Sequence, residues 1–310
     1  MECRKLGNTQ LTVSIVGFGT SPLGNAFRVT DPAEGKRAIH LAIREGINFF
    51  DTSPLYGVTL AEERLGSALV GKRQDIVLMT KCGRYGEAEF DFSAKRITAS
   101  VDESLKRLRT DYVDILLAHD VEFGDLGQII TEAIPAMRLL QKQGKTRFIG
   151  VSAYPLKTLV RIAESTPLDI ILTYCRYNLL INDADRILMP VAEKHGIGVV
   201  NASPLHMGML TVQGAPDWHP APQKVRDAAK QAAELCRRHG LDLSALALRF
   251  CFDYSRVATT MVGMTTCKHV EDNLQTLSAK PDPAIMQQVR SILAPVFNYV
   301  WPEGRPENQD

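Results

Sequence analysis

Short apolar, β-branched runs alternate along this chain with longer segments whose apolar positions recur every three or four residues, the periods of strands and helices respectively. Leu6-Gly7-Asn8-Thr9 reads as the turn of an opening hairpin, and Ile15-Val16-Gly17-Phe18-Gly19 as the first buried strand. A helix follows with Asp31 as N-cap, Pro32 at its first position, Ala38, Ile39, Ala42 and Ile43 on one face, and Gly46 as its stop. The same rhythm predicts strands over 49–51, 76–81, 113–119, 148–152, 170–174, 198–202 and 259–263. Between them come helices over 61–69, 93–107, 128–143, 156–164, 187–195 and 243–252.

Strict alternation of strand and helix implies parallel strands joined by right-handed crossovers. With eight such units, the α/β pattern points to a (β/α)8 TIM barrel rather than an open doubly wound sheet. A long insertion over 205–240, after the seventh strand, holds Gly214-Ala215-Pro216-Asp217-Trp218-His219-Pro220-Ala221-Pro222 and an extra helix over 224–239. Helices over 268–277 and 282–293 close the fold, and 295–310, with Pro302 and Pro306, reads as an irregular tail. The expectation is therefore one barrel domain over 1–310, with an N-terminal β-hairpin and extra helices after strand seven and at the C-terminus.

Composition narrows the partner. Lys and Arg number 36 against 35 Asp and Glu, so no net field favours nucleic acid or an anionic membrane, and a small, neutral partner is expected. Met1-Glu2-Cys3-Arg4-Lys5-Leu6-Gly7 opens no export signal, and no window approaches an uninterrupted apolar span. Six cysteines, Cys3, Cys82, Cys175, Cys236, Cys251 and Cys267, are scattered without C-x-x-C spacing, which fits reduced thiols and a cytoplasmic location. His206 and His219 lack a third ligand at a suitable spacing, so no metal is expected. Oligomeric state stays open.

The chemistry gathers at strand ends, where barrel active sites form. Asp51 and Tyr56 lie in Asp-Thr-Ser-Pro-Leu-Tyr-Gly, Lys81 closes Asp-Ile-Val-Leu-Met-Thr-Lys, and His119 closes Asp-Tyr-Val-Asp-Ile-Leu-Leu-Ala-His. Hydride transfer between a carbonyl and an alcohol needs one group that gives or takes the oxygen's proton, and a tyrosine serves if an ammonium stabilises its phenolate. Lys81 is the candidate ammonium, expected to lower the Tyr56 pKa; Asp51 would hold Lys81, and His119 would donate to the substrate oxygen. Each residue alone is more often a solvated surface group. The set, in order at the ends of three successive strands, is what carries the reading.

These four residues, with Leu6-Gly7-Asn8-Thr9, Gly17-Phe18-Gly19-Thr20, Gly144-Lys145-Thr146-Arg147-Phe148-Ile149-Gly150-Val151-Ser152 and Ser203-Pro204-Leu205, resemble the aldo-keto reductase superfamily over nearly the whole chain. The resemblance implies a barrel that binds a nicotinamide cofactor without a glycine-rich Rossmann loop. Cofactor contacts carried over by it are Gly19, Thr20, Asp51, Ser152, Ser203, Leu205, Gly208, Gly263, Met264, Thr265, His269, Asp272 and Asn273, with Tyr174 as a candidate stacking surface. Ala153, Tyr174 and Ala202 depart from the family where Asn, Gln and an aromatic are usual. Members that prefer NADP place a Lys and an Arg where this chain has Gly263 and His269, so NAD is the expected cofactor.

Asn48-Phe49-Phe50-Asp51-Thr52-Ser53-Pro54, Lys81-Cys82-Gly83-Arg84-Tyr85, Phe90-Asp91-Phe92-Ser93, His119-Asp120-Val121-Glu122-Phe123-Gly124 and Asp217-Trp218-His219-Pro220 look like the L-galactose dehydrogenase branch. That likeness implies oxidation of an aldose at C1 to the lactone, with L-galactose, L-fucose or a related sugar as substrate. Besides Tyr56 and His119, Arg84, Tyr85, Asp120, Glu122 and Phe123 are the candidate sugar contacts. An NADPH-dependent aldehyde reductase and a nicotinamide-sensing regulatory subunit are the competing readings.

Overall fold

The structure, a computed structural model, describes residues 1–26 and 29–310. Strands β1 (Cys3–Lys5) and β2 (Thr12–Ser14) pair antiparallel as the hairpin. Eight parallel strands then close on themselves: β3 (Val16–Gly19), β4 (Phe49–Asp51), β5 (Val77–Cys82), β6 (Val113–Ala118), β7 (Thr146–Ala153), β8 (Ile170–Tyr174), β9 (Gly198–Ala202) and β10 (Thr259–Gly263). Pairing of β10 with both β9 and β3 completes the barrel.

Helices pack outside: α1 (Pro32–Arg44), α2 (Leu60–Ala68), α3 (Ala94–Leu108), an interrupted α4 (126–142), α5 (Leu156–Ser165), a divided α6 (184–195), α7 (Gln223–Arg238), α8 (Leu243–Phe252), α9 (Cys267–Ser278) and α10 (Pro283–Leu293). Asp31, Ser93, Asp242, Thr266 and Asp282 cap α1, α3, α8, α9 and α10 with their side chains, satisfying N–H groups that a first turn leaves unpaired.

Two helices depart from the expected pattern, each at a proline. The helix expected over 128–143 starts at Leu126, with Asp125 as its cap. It passes through a π turn, Ile129–Ala133, and resumes as Ile134–Lys142. Pro135 has no N–H to give the preceding turn, and the wider turn absorbs the missing bond. The helix expected over 187–195 divides into Ala184–Ile187 and Met189–His195 just before Pro190, for the same reason.

Side chains on a strand alternate between faces, which places the site. Phe49, Val77, Met79, Ile115, Leu117, Ile170, Leu172, Val200 and Met261 fill the barrel interior. Leu6, Leu11 and Val13 of the hairpin join that cluster and plug its N-terminal end. Gly7 makes this fit possible: its φ is +54°, and a Cβ there would stand 2.3 Å from the Gly198 nitrogen. Two residues beyond the last apolar layer, the same interior face carries Asp51, Lys81, His119, Tyr174 and Ala202 at the opposite end. A second, larger cluster fills the space between the barrel and its helices.

The tail does form little regular structure, with short 3-10 turns at Ala294–Val296 and Pro306–Asn308. It is nevertheless tied across the C-terminal mouth. Asn298 N–H donates to Leu180, Arg305 N–H to the Glu122 carbonyl, and the Asn308 amide to the carbonyls of Glu122 and Gly124 at 2.8 and 2.9 Å. The Asp310 carboxylate takes the first two N–H groups of α5 and an N–H of Arg176. Among the described residues, no helix is long and apolar enough to cross a membrane.

Near the barrel's other end the buried Asp114 carboxylate accepts from Arg73 at 2.8 Å, Arg147 at 2.7 Å and the Leu78 N–H at 2.8 Å, fastening β5 and β6. Replacing Asp114 by Ala leaves the Arg73 guanidinium, which is largely shielded, without a counter-charge, its remaining acceptors being the Ile76 and Tyr112 carbonyls. The expected loss is about 3 kcal/mol, read as a lower urea midpoint; an unchanged midpoint would show that these ion pairs contribute nothing.

Candidate active site

Asp51, Lys81 and His119 reach the mouth because they end or follow adjacent strands β4, β5 and β6 on the interior face. The Lys81 ammonium is only 2% exposed, and its three protons find three acceptors: the Asp51 carboxylate, the Thr52 carbonyl at 2.9 Å and the Tyr56 hydroxyl at 3.1 Å. Tyr56 stands 3.5 Å from Asp51 Oδ2, beyond the usual O–H···O range, so its own proton is weakly held there. His119 meets the Tyr56 ring edge-on, with centroids 5.9 Å apart. All four predicted catalytic side chains thus converge.

Burial dominates their electrostatics. It pushes the Tyr56 phenol well above its ordinary value, and the Asp51 and Asp120 carboxylates push further in the same direction. The expectation that Lys81 holds this phenol low is therefore corrected for the protein alone: Asp51 compensates the ammonium's charge, and phenolate formation in a dry site is disfavoured. Burial likewise raises Asp51 against the pull of Lys81. His119 is pushed down to about 3, first by burial, so its imidazole is neutral. Its Nδ1 lies 3.0 Å from Ser53 Oγ, and its Nε2 is 3.6 Å from Asp120 Oδ2, too far for a hydrogen bond.

The candidate cofactor residues line one side of the same mouth. Gly19 and Thr20 follow β3 against Asp51, whose carbonyl accepts the Thr20 N–H at 3.0 Å, while the buried Thr20 Oγ1 has no partner among the described residues. After β9, Ser203, His206, Met207 and Gly208 all have positive φ, and the loop closes on itself, His206 N–H donating to the Ser203 carbonyl at 2.9 Å and Gly208 N–H to the Leu205 carbonyl at 3.1 Å. Gly263 ends β10, Met264 N–H donates to the Gly19 carbonyl, buried Thr265 precedes α9, and buried Asn273 lies midway along it. His269 Nδ1 lies 3.3 Å from the Thr265 N–H. Asp272 is committed outward, holding Lys268 at 2.8 and 2.9 Å. The unpartnered Thr20 hydroxyl, beside Asp51, is a buried polar atom that a bound cofactor would satisfy.

The Ser152 hydroxyl accepts the Asp120 N–H at 3.1 Å and so supports the loop after β6. Tyr174 leans on Tyr154 at 5.6 Å and donates its hydroxyl to Glu122 Oε1 at 3.2 Å, leaving its ring half-buried at the mouth.

Of the sugar-contact candidates, Arg84 pairs with Asp120, and Phe123 stacks on Phe90 at 4.8 Å. Glu122 is fully buried: Oε1 also accepts the Tyr154 N–H at 2.9 Å, Oε2 has no partner among the described residues, and burial raises its carboxyl well above the usual range. Tyr85 is a correction. Its hydroxyl is bound to the Gly83 N–H and to Ser100 Oγ, both at 3.0 Å, and its ring is buried toward α3, so it presents no group to a ligand.

Sequence patterns missed three residues. Ser53 is visible only as a hydroxyl two places after Asp51, and its link to His119 spans 66 residues. Glu303, which accepts from the Trp301 indole at 2.9 Å, arrives beside Arg84 and Asp120 on the tail. Glu34, read as part of α1, accepts the Cys267 N–H at the start of α9 at 2.9 Å.

The rest of the molecule offers less. A cleft at the hairpin end is lined by Arg4 and Phe252, but the Arg4 guanidinium is spent on the carbonyls of Phe252, Tyr254 and Val257. His206 and His219 lie 5.5 Å apart, with their Nδ1 atoms bound by Asn178 and the Ala221 N–H. No group of three His, Cys, Asp or Glu among the described residues is arranged to hold a metal.

Residues 15–294 match the family model described as "Aldo/keto reductase family". The chain is 45% identical to L-galactose dehydrogenase of Arabidopsis thaliana over 99% of both proteins. It is 32% identical to D-arabinose 1-dehydrogenase of Saccharomyces cerevisiae over 86% of this chain and 87% of that one. Among solved structures, the holo form of an aldo-keto reductase from Bacillus halodurans superposes with a TM-score of 0.80 at 30% identity, covering 97% of this chain and 98% of the other.

The Tyr56 loop is held by two glycines in direct backbone contact. A Cβ on Gly57, whose φ is +66°, would stand 2.1 Å from the Gly24 oxygen, and one on Gly24 would stand 2.5 Å from the Tyr56 carbonyl carbon. Gly57→Ala must push the loop outward and carry the phenol off Lys81. Turnover should fall on the order of 100-fold with the circular-dichroism spectrum unchanged; full activity would show that this contact does not place Tyr56.

Proposed function

The chain belongs to the aldo/keto reductase family of oxidoreductases, and on that footing we propose that it oxidises an aldose at C1 to the lactone with NAD, L-galactose being the first candidate and L-fucose or a related sugar the next. The observation that carries the proposal is the buried Lys81 ammonium donating at once to Asp51 and Tyr56, with a neutral His119 across the mouth. The relatives at 45% and 32% identity are named as dehydrogenases of sugars, which supports oxidation at an anomeric carbon.

When bound, an oxidised nicotinamide supplies the hydride acceptor and a positive charge beside the phenol. Tyr56 takes the proton from the C1 hydroxyl as the hydride leaves C1, and Lys81 stabilises the phenolate that does so. Asp51 and the Thr52 carbonyl fix the ammonium, and His119 orients the anomeric oxygen. Arg84, Asp120 and Phe123 offer the sugar two signs of charge and an aromatic face, while Glu122 is enclosed behind Tyr174.

NAD preference has three supports at α9. By the family resemblance, Gly263 and His269 replace the Lys and Arg that pair with a 2′-phosphate; the Lys268 ammonium is held by Asp272, and the Glu34 carboxylate occupies the first N–H of the helix. A dianion approaching there meets negative charge at the position where a helix otherwise attracts it. All six thiols are unpaired, which supports work in the reducing cytoplasm.

Purified protein incubated with NAD or NADP and a panel of L-galactose, L-fucose, other aldoses and simple aldehydes should produce NADH with a sugar. NADPH consumption by aldehydes alone would replace the proposal with a reductase, and bound cofactor without turnover with a sensor. Tyr56→Phe should abolish turnover while the cofactor Kd stays within about twofold; retained oxidation would remove Tyr56 from its role.

The pH profile follows from the same geometry. The base form of Tyr56 increases with pH, so kcat/KM for sugar oxidation should climb between about pH 6 and 9. His119, already neutral above about 3, should add no inflection near neutrality. An inflection there that vanishes in His119→Asn would contradict this assignment.

A further inference from the structure

Ser53 is fully buried, and its hydroxyl oxygen already accepts the Leu55 N–H at 3.1 Å. Among the described residues its proton has one acceptor within reach, His119 Nδ1 at 3.0 Å. A buried hydroxyl left without an acceptor is costly, and a neutral imidazole that accepts at one nitrogen must carry its proton on the other. The opposite arrangement, with Nδ1–H donating to Ser53, orphans the hydroxyl proton and turns the Nε2 lone pair toward the Asp120 carboxylate, 3.6 Å away. Both costs favour one tautomer.

We propose that Ser53 is a positioning residue that fixes His119 with its proton on Nε2, so that the imidazole meets the substrate oxygen as a hydrogen-bond donor. The proposal deepens, and rests on, the reading of His119 given above. Asp120 is poorly placed to compete for that proton: Oδ2 is beyond hydrogen-bond distance from Nε2 and already accepts from Arg84. His119 is also held from behind, since its backbone N–H donates to the Cys82 carbonyl at 2.8 Å, leaving the ring's tautomer as the remaining variable. Ser53 itself sits two residues after Asp51, so the backbone that places the Lys81 partner also places the hydroxyl that selects the histidine's proton.

Nitrogen-15 NMR of histidine-labelled protein, with His119→Asn to assign the signals, reads the tautomer directly. The wild type should show a protonated Nε2 and an unprotonated, hydrogen-bonded Nδ1. Ser53→Ala should mix the two tautomers and lower kcat about tenfold with the NAD Kd unchanged. Ser53→Thr, which keeps the hydroxyl, should restore both signals and turnover. Should the alanine variant prove unstable, Ser53→Cys weakens the donor with little change in volume and is read in the same way. An Nδ1–H imidazole in the wild type, or an unaltered tautomer in Ser53→Ala, overturns the proposal at the hydrogen bond. A shifted tautomer with unaltered turnover overturns it instead through the role given to His119.

Discussion

A lysine ammonium with almost no access to water is the constraint on which the mouth of this barrel is built. Desolvating such a charge costs several kcal/mol unless each proton is paired. Lys81 meets that requirement with one carboxylate, one carbonyl and one phenol. The three acceptors come from Asp51, Thr52 and Tyr56, a single six-residue stretch that starts at the last residue of β4, while the donor comes from β5. Satisfying the charge therefore fixes the loop, and fixing the loop places the phenol.

The same pairing explains why the phenol is not acidic in the protein by itself. Asp51 compensates the ammonium it holds, and burial then sets the direction for Tyr56. A protonated phenol 3.1 Å from an ammonium and weakly held by Asp51 is a proton donor in waiting; it becomes a base only when further positive charge enters the site. His119, neutral by burial, leaves the developing charge on oxygen to be met by a hydrogen bond rather than an ion pair. The site's proton chemistry is thus coupled to what binds beside it.

Around this centre the loops carry the parts that differ in kind. The tail crosses the mouth, stacking Trp301 on Tyr154 and bringing Glu303 beside Asp120 and Arg84, while Glu122 is enclosed by Tyr154, Tyr174 and the tail's own backbone bonds. Glu34 ties α1 to the first turn of α9. Each contact joins segments far apart in the chain, and each depends on barrel closure to exist. Two prolines, Pro135 and Pro190, mark the helices whose regular period is interrupted.

The period of the apolar residues was sufficient for the eight strands, their order and the end of the barrel at which Asp51, Lys81 and His119 emerge, because strand alternation carries side-chain direction along with it. Residue type and spacing singled out the tetrad, since few combinations can move both a hydride and a proton. Tertiary structure decided the rest: that Tyr85 turns inward to Ser100, that Ser53 binds His119, that the phenol is raised rather than lowered, and that the tail lies across the site. Local pattern encodes which face a residue occupies. Burial and the pairing of groups distant in the chain arise only when the strands close, and these set protonation and orientation.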